Sequence, residues 1–263
     1  SLAYVIGAPI IGFIAGVGGE EGWRWAFLGI VLPVSLLGFL MAVQGVPSSS
    51  QHQGSQPPGS KGKYLEAFKG VFANWSAIAC FIGNALAMAG FQVILVYSTS
   101  FYREHFQVST EFSSIIFVGV ALSFAIGTLV IGRFVTRFGR KPVTVLTGFI
   151  AGIFMCSFTN VPNLWLSIAL EYLSCLFFGM MITTAYSLTL EQVPSFRGTM
   201  MSLNSVAANI GSALGAGIGG WVLLLWNYEF VGLSLGAMIL VGAIIYYRIV
   251  SDPTRIEVPD RGI

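Results

Sequence analysis

Long apolar runs broken by short polar connectors set the pattern of this chain. Eight runs stand out, at about 1–17, 25–46, 75–99, 111–131, 142–159, 164–190, 199–225 and 229–248. A helix needs about 20 mostly apolar residues, at 1.5 Å rise each, to cross roughly 30 Å of hydrocarbon. The runs are continuous rather than alternating, so they predict membrane-spanning helices and not the strands of a barrel. Pro9 and Pro33 interrupt the first two runs and predict local loosening or kinks.

Composition agrees with the pattern. Of 263 residues, 55% are hydrophobic, only 9% are charged and 14% are aromatic, with a mean hydropathy of +0.80. Soluble domains carry roughly 25% charged residues, so a water-soluble fold and a disordered chain are both excluded. A net charge of +2 provides no basic face for nucleic acid. Cys80, Cys156 and Cys175 lie inside apolar runs without metal or disulfide spacing, and His52 and His105 sit in connectors. No HExxH, GxSxG or phosphate-loop pattern occurs, which argues against an enzyme and against nucleotide-driven pumping.

The connectors orient the spans. Lys61, Lys63, Lys69, Arg133, Arg137, Arg140, Lys141, Arg197, Arg248, Arg255 and Arg261 fall on one side, and only Arg24 and Arg103 on the other. The positive-inside rule makes the basic side cytoplasmic, with both ends of the chain inside. Residues 47–63, rich in Ser, Gln, Pro and Gly, read as a flexible cytoplasmic linker. Tyr64 to Phe72, with Leu65, Phe68 and Phe72 on one side and Glu66 and Lys69 opposite, reads as a short surface helix. The expected organisation is therefore two helices (1–46), a linker (47–74), a six-helix bundle (75–250) and a tail (251–263).

The first and last pairs of runs resemble each other. Ile6, Gly7, Ile14 and Gly16 align in register with Ile210, Gly211, Ile218 and Gly220; one deletion later, Trp23, Phe27 and Gly29 meet Trp226, Phe230 and Gly232. Parallel repeats of this kind are a plan used by transporters. If the repeat holds, the first bundle lacks about four helices ahead of Ser1.

Several residues stand out chemically. Glu171 lies about 10 Å into its span, and an intramembrane carboxylate costs about 2.5–3.5 kcal/mol even on lenient scales, marking a functional candidate. Asn84, Met88, Phe91 and Gln92 follow i, i+4, i+7, i+8 spacing and predict one wall of a small-molecule cavity, with Asn204, Ser205 and Asn209 as weaker candidates. An interhelical amide bond is the alternative for Asn84 and Gln92, and a structural carboxyl near the interface for Glu171. The cationic run Arg133–Lys141, with Glu191 and Arg197, reads as a charge-held gate or as a headgroup contact. Gly12 and Gly16, and Gly211, Gly215 and Gly219, give GxxxG spacing suited to close helix packing and sliding between bundles.

Four motifs carry a family resemblance. The loop Gly132-Arg133-Phe134-Val135-Thr136-Arg137-Phe138-Gly139-Arg140-Lys141 resembles the G-x-x-x-D-R-x-G-R-[KR] loop of the major facilitator superfamily, between its eighth and ninth helices. Gly7-Ala8-Pro9-Ile10-Ile11-Gly12 is similar to the Gly-Pro motif of its fifth helix, and Gly22-Trp23-Arg24-Trp25-Ala26-Phe27 to the segment that follows. Glu191-Gln192-Val193-Pro194-Ser195-Phe196-Arg197-Gly198 resembles the turn before helix eleven. The usual loop acid is Thr136 here. The resemblance implies an all-α polytopic bundle, helices five to twelve of a twelve-helix carrier in the plasma membrane. It implies a secondary transporter that moves a small organic solute by alternating access, most similar to the proton-coupled efflux branch. No cofactor is expected beyond a proton gradient, and the partners are lipid, solute, protons and the absent N-terminal helices. A sugar or organic-acid proton symporter, or a non-transporting membrane protein on the same fold, remains an alternative.

Overall fold

A computed structural model describes residues 22–45 and 68–253. These residues form helices and turns, and among them no strand occurs. The run expected at 1–17, with Gly7, Pro9, Gly12 and Gly16, lies outside the described residues, as does the whole 47–63 linker.

Helix α1 comprises Gly22–Ala26, a π-helical turn Phe27–Val31 and Leu32–Gly45. The wide turn falls just ahead of Pro33, which lacks an N–H and whose ring crowds the carbonyl four residues back. Ser35 donates its hydroxyl to Val31 O at 2.6 Å, satisfying a carbonyl at the perturbed turn. Residues 68–73 are helical, but the buried member of this turn is Val71, with Phe68 and Phe72 exposed and stacked on each other. Phe68 and Phe72 thus share one exposed side of this turn, while Val71 packs on the other toward Ala77, Phe81 and Met200.

Six helices long and apolar enough to cross a membrane follow: α2 (Trp75–His105), α3 (Thr110–Phe138), α4 (Arg140–Phe158), α5 (Leu164–Leu190), α6 (Arg197–Leu225, entered through Pro194–Phe196) and α7 (Tyr228–Arg248). Polar caps start four of them. Asn74 accepts from the N–H groups of Ser76 and Ala77, Ser109 from Phe112, Asn163 from Leu166 and Asn227 from Phe230. Each cap satisfies donors that a helix start leaves orphaned. Between α3 and α4 the chain turns at Gly139 alone, with φ +86° and ψ 163°, a region essentially reserved for glycine.

The six helices pack in the order α6, α2, α7, α4, α5, α3, each against its neighbours. Helices α2 and α5 bury more than half of their central residues, while α3 and α6 bury less than a third. Glycines set the closest crossings. A Cβ on Gly211 or Gly215 would overlap the carbonyl oxygens of Ala85 and Ala89, and one on Gly219 would meet the Tyr97 ring at 2.5 Å. The GxxxG spacing of α6 therefore serves close helix packing, as its spacing suggests, here on α2 inside this bundle. Gly127 and Gly179 do the same for α3 and α5, against Leu176 and Phe124 carbonyls.

Candidate functional site

Three chemically distinct regions occupy the bundle. Between α2 and α3 lies a cavity of about 240 Å³, lined by Met88, Phe91, Leu95, Phe117, Val120, Ala121 and Phe124. Phe91 stacks on Phe178 of α5, with ring centroids 4.3 Å apart and planes 5° from parallel, and meets Phe124 at 5.8 Å. Apolar walls with flexible Met and aromatic faces suit an organic molecule of varied shape.

The sequence expectation for this wall splits. Met88 and Phe91 line the cavity, but Asn84 and Gln92 do not. Asn84 is wholly buried and donates its amide to Asn204 of α6, at 3.1 Å to Oδ1 and 3.3 Å to the backbone oxygen. Gln92 is buried at the end of the first α-helical stretch of α2. The four positions cover an arc of about 100°, and on a helix packed by α6 on one flank and α7 on another that arc is divided among neighbours. Asn209 also departs from the cavity: it lies on the exposed face of α6, beside Val206 and Ile210.

The second region is a polar pocket inside the bundle, at the end opposite the basic loops. Glu171 of α5 has no exposed surface, and neither carboxyl oxygen has a hydrogen-bond partner. The hydroxyls of Ser98 and Tyr102 face it from α2. Tyr102 and Ser167 hydroxyls lie 3.2 Å apart, Ser167 donates to Phe158 O at 2.7 Å, and Ser174 donates to Ala151 O at 3.0 Å. These bonds tie α2 and α5 to α4 around the carboxyl. Glu171 is thus enclosed in the bundle and not on the wall of the α2–α3 cavity, a correction to the sequence grouping. Residues from three helices seal it, which spacing along one helix does not reveal.

The third region is the basic end. Glu191, the C-cap of α5, bridges two arginines. Arg197 reaches both its oxygens, at 3.2 and 3.1 Å, and Arg140 approaches at 3.5 Å. The turn at Gly139 aims Arg140 inward, while Arg133 and Arg137 point outward on exposed α3; no described carboxylate lies within ion-pair distance of those two. Gly132 meets nothing that a Cβ would touch. Thr136, in the place of the usual acid, donates to Arg133 O on its own helix. Asp252, missed in the sequence reading, accepts the backbone N–H of Lys141 at 3.4 Å near the N-terminus of α4, where a carboxylate complements the helix dipole. Gln192 donates to Ser251 O at 2.9 Å, Asn74 donates to Gln192 O at 3.0 Å, and the Ser76 hydroxyl accepts the Ser251 N–H at 2.9 Å. Their signal in sequence was faint: polar residues just beyond the ends of apolar runs.

Six packed apolar helices, a buried carboxyl within one of them and a charge-tied end define a polytopic α-helical membrane protein. The sequence pattern of the Major Facilitator Superfamily matches residues 80–262, and the chain belongs to that family. It is similar to the glycine betaine/proline/ectoine/pipecolic acid transporter OusA of Dickeya dadantii, 25% identical over 68% of this chain and 37% of that protein. It is similar also to the multi-drug resistance efflux pump PmrA of Streptococcus pneumoniae, 29% identical over 48% of this chain and 31% of the pump. The proline/betaine transporter of Escherichia coli is 24% identical over 54% of this chain and 31% of its own length. The chain thus spans about a third of the length of the curated relatives it matches. The family and these relatives make it a transporter-family chain and not an enzyme.

Proposed function

We propose that this chain supplies the C-terminal bundle of a secondary active carrier that exports a small, largely apolar organic solute by alternating access, driven by protons. The apolar cavity between α2 and α3 carries the reading: its Met and Phe lining favours a hydrophobic solute of loose shape over a sugar or organic acid, which needs several placed polar groups. The likeness to a pump named for multidrug efflux supports the same direction. Glu171 is assigned the coupling proton, because a carboxyl sealed without a partner is tolerable in a bilayer chiefly when protonated. The Arg140–Glu191–Arg197 cluster is assigned the gate at the basic end, taken as cytoplasmic, with the protein in the plasma membrane. Asn209 on the open face of α6 is assigned to the side that meets the first bundle.

A second reading, uptake of a zwitterionic solute, draws on the two relatives named for betaine and proline. The aromatic faces of Phe91 and Phe124 suit a quaternary ammonium. The full-length protein in proteoliposomes under an imposed proton gradient separates the two. Export of a lipophilic organic cation that collapses when the gradient is removed supports the first reading. Gradient-driven glycine betaine flux without transport of the cation overturns it.

A further inference from the structure

Counting hydrogens around Glu171 leaves one hydroxyl with a choice. A backbone carbonyl only accepts, so the single hydrogen of the Ser167 hydroxyl is spent on Phe158 O at 2.7 Å. Ser167 Oγ then meets the Tyr102 hydroxyl, 3.2 Å away, as an acceptor. The Tyr102 hydrogen is therefore committed to Ser167, and the Tyr102 oxygen has only lone pairs left to offer. Tyr102 and Ser98 face the Glu171 carboxyl from α2, and neither carboxyl oxygen is hydrogen-bonded. This arrangement suits the neutral acid, which carries a hydrogen of its own to present to Tyr102. A carboxylate has none, and would meet the lone pairs of that oxygen inside a sealed pocket.

No neighbouring element brings a compensating charge. Tyr172 and Cys175, the other titratable groups beside Glu171, share its helix, and Tyr172 donates to Ile116 O of α3 at 3.1 Å. On α2, Tyr97 reaches Ala216 O of α6, while Arg103, Glu104 and His105 are exposed. Cys156 of α4 turns to Leu233 O of α7 at 3.8 Å. The charged residues of α3, α4 and α6 (Glu111, Arg133, Arg137, Arg140, Lys141 and Arg197) sit within about two turns of the helix ends. No described cation lies within ion-pair distance of Glu171.

We propose that the Tyr102 hydroxyl is a two-position donor, bonding Ser167 while Glu171 is protonated and swinging to the carboxylate when that proton leaves. The swing is a rotation about the Tyr102 C–O bond and breaks no covalent bond. The departing proton goes to water as the carrier opens, and Tyr102 keeps its own. A hydrogen bond to a charged group is stronger than a neutral one, so the swing outweighs the lost Ser167 contact. That contact joins α2 to α5, and α2 also supplies Met88 and Phe91 to the apolar cavity. The charge on Glu171 is thereby felt by a helix that lines the solute cavity. Tyr102 is a positioning residue that acts through Glu171, and its role rests on the reading of Glu171 as the titrating carboxyl.

The test is infrared titration of the full-length protein in liposomes, following the C=O band of the protonated carboxyl that Glu171→Gln removes. Tyr102→Phe takes the donor from the carboxylate and should raise the midpoint by about one pH unit. Ser167→Ala takes away the acceptor that competes for the same hydrogen and should lower the midpoint by about half a unit. Opposite shifts mark a shared hydrogen, because a general change in packing has no reason to move the midpoint both ways. Midpoints that stay put in both variants, or move the same way, overturn the proposal while leaving Glu171 a titrating group. Should Ser167→Ala not fold, Tyr102→Phe decides alone, and an unchanged or lower midpoint overturns the proposal. If no titrating band distinguishes the wild type from Glu171→Gln, the assignment of Glu171 itself falls, and this proposal with it.

Discussion

Glu171 and Glu191 sit on the same helix and live in opposite worlds. Glu171 has no exposed surface and no hydrogen-bond partner; Glu191 caps the helix, keeps 24% of its side chain exposed and joins two arginines. A carboxyl beside water can stay charged and pair cheaply, each pair contributing about 0–1 kcal/mol. One inside the bundle cannot, and its cost must be met by protonation or by function. The contrast separates an element suited to gating from one suited to proton handling, though both are single glutamates in an apolar sequence.

The strongest way to break this comparison is Glu171→Lys. A fixed cation in the sealed pocket should cost about 2.5–3.5 kcal/mol and remove most folded protein from detergent extracts, read by size-exclusion of a fluorescent fusion. Glu171→Gln, neutral and nearly isosteric, should keep the yield while flattening the pH dependence of transport by the full-length carrier. An unchanged pH profile would falsify the coupling role.

Next in size is Gly139→Ala, which strains the turn that aims Arg140 at Glu191. The expected loss is about 1–3 kcal/mol, visible as a lower Tm, whereas Gly132→Ala, whose Cβ meets nothing within 4 Å, should stay within about 0.5 kcal/mol. Glu191→Gln should cost about 1 kcal/mol, because both of its pairs are partly solvated, and should raise labelling of a cysteine placed at Arg133. A fall in labelling would argue against a gate. Smallest is Arg197→Gln, a few tenths of a kcal/mol for a guanidinium 58% exposed; a loss as large as that of Glu191→Gln would mean that Arg140 contributes nothing.

The spans were legible because bilayer thickness demands long apolar runs: the expected 164–190 run is α5, Leu164–Leu190. The Glu191–Arg197 pairing was legible too, being local to one turn. The wall of Asn84, Met88, Phe91 and Gln92 was half legible, since a shared helix face says nothing of which neighbour covers which edge. Phe124 and Phe178 were missed among 21 phenylalanines, with no feature of spacing to single them out. Asp252 was missed because its contact spans 111 residues.

By itself the sequence determined that the chain is built of membrane-spanning helices, six of them between Trp75 and Arg248, and where its charges gather, because each follows from the local cost of placing polar groups in hydrocarbon; the 25–46 run gives only a shorter apolar helix, Phe27–Met41. Only the tertiary structure decided that Glu171 is sealed rather than open to the α2–α3 cavity, and that the α6 glycines press on α2. Those outcomes depend on which helix faces which, and close packing between segments far apart in sequence settles that.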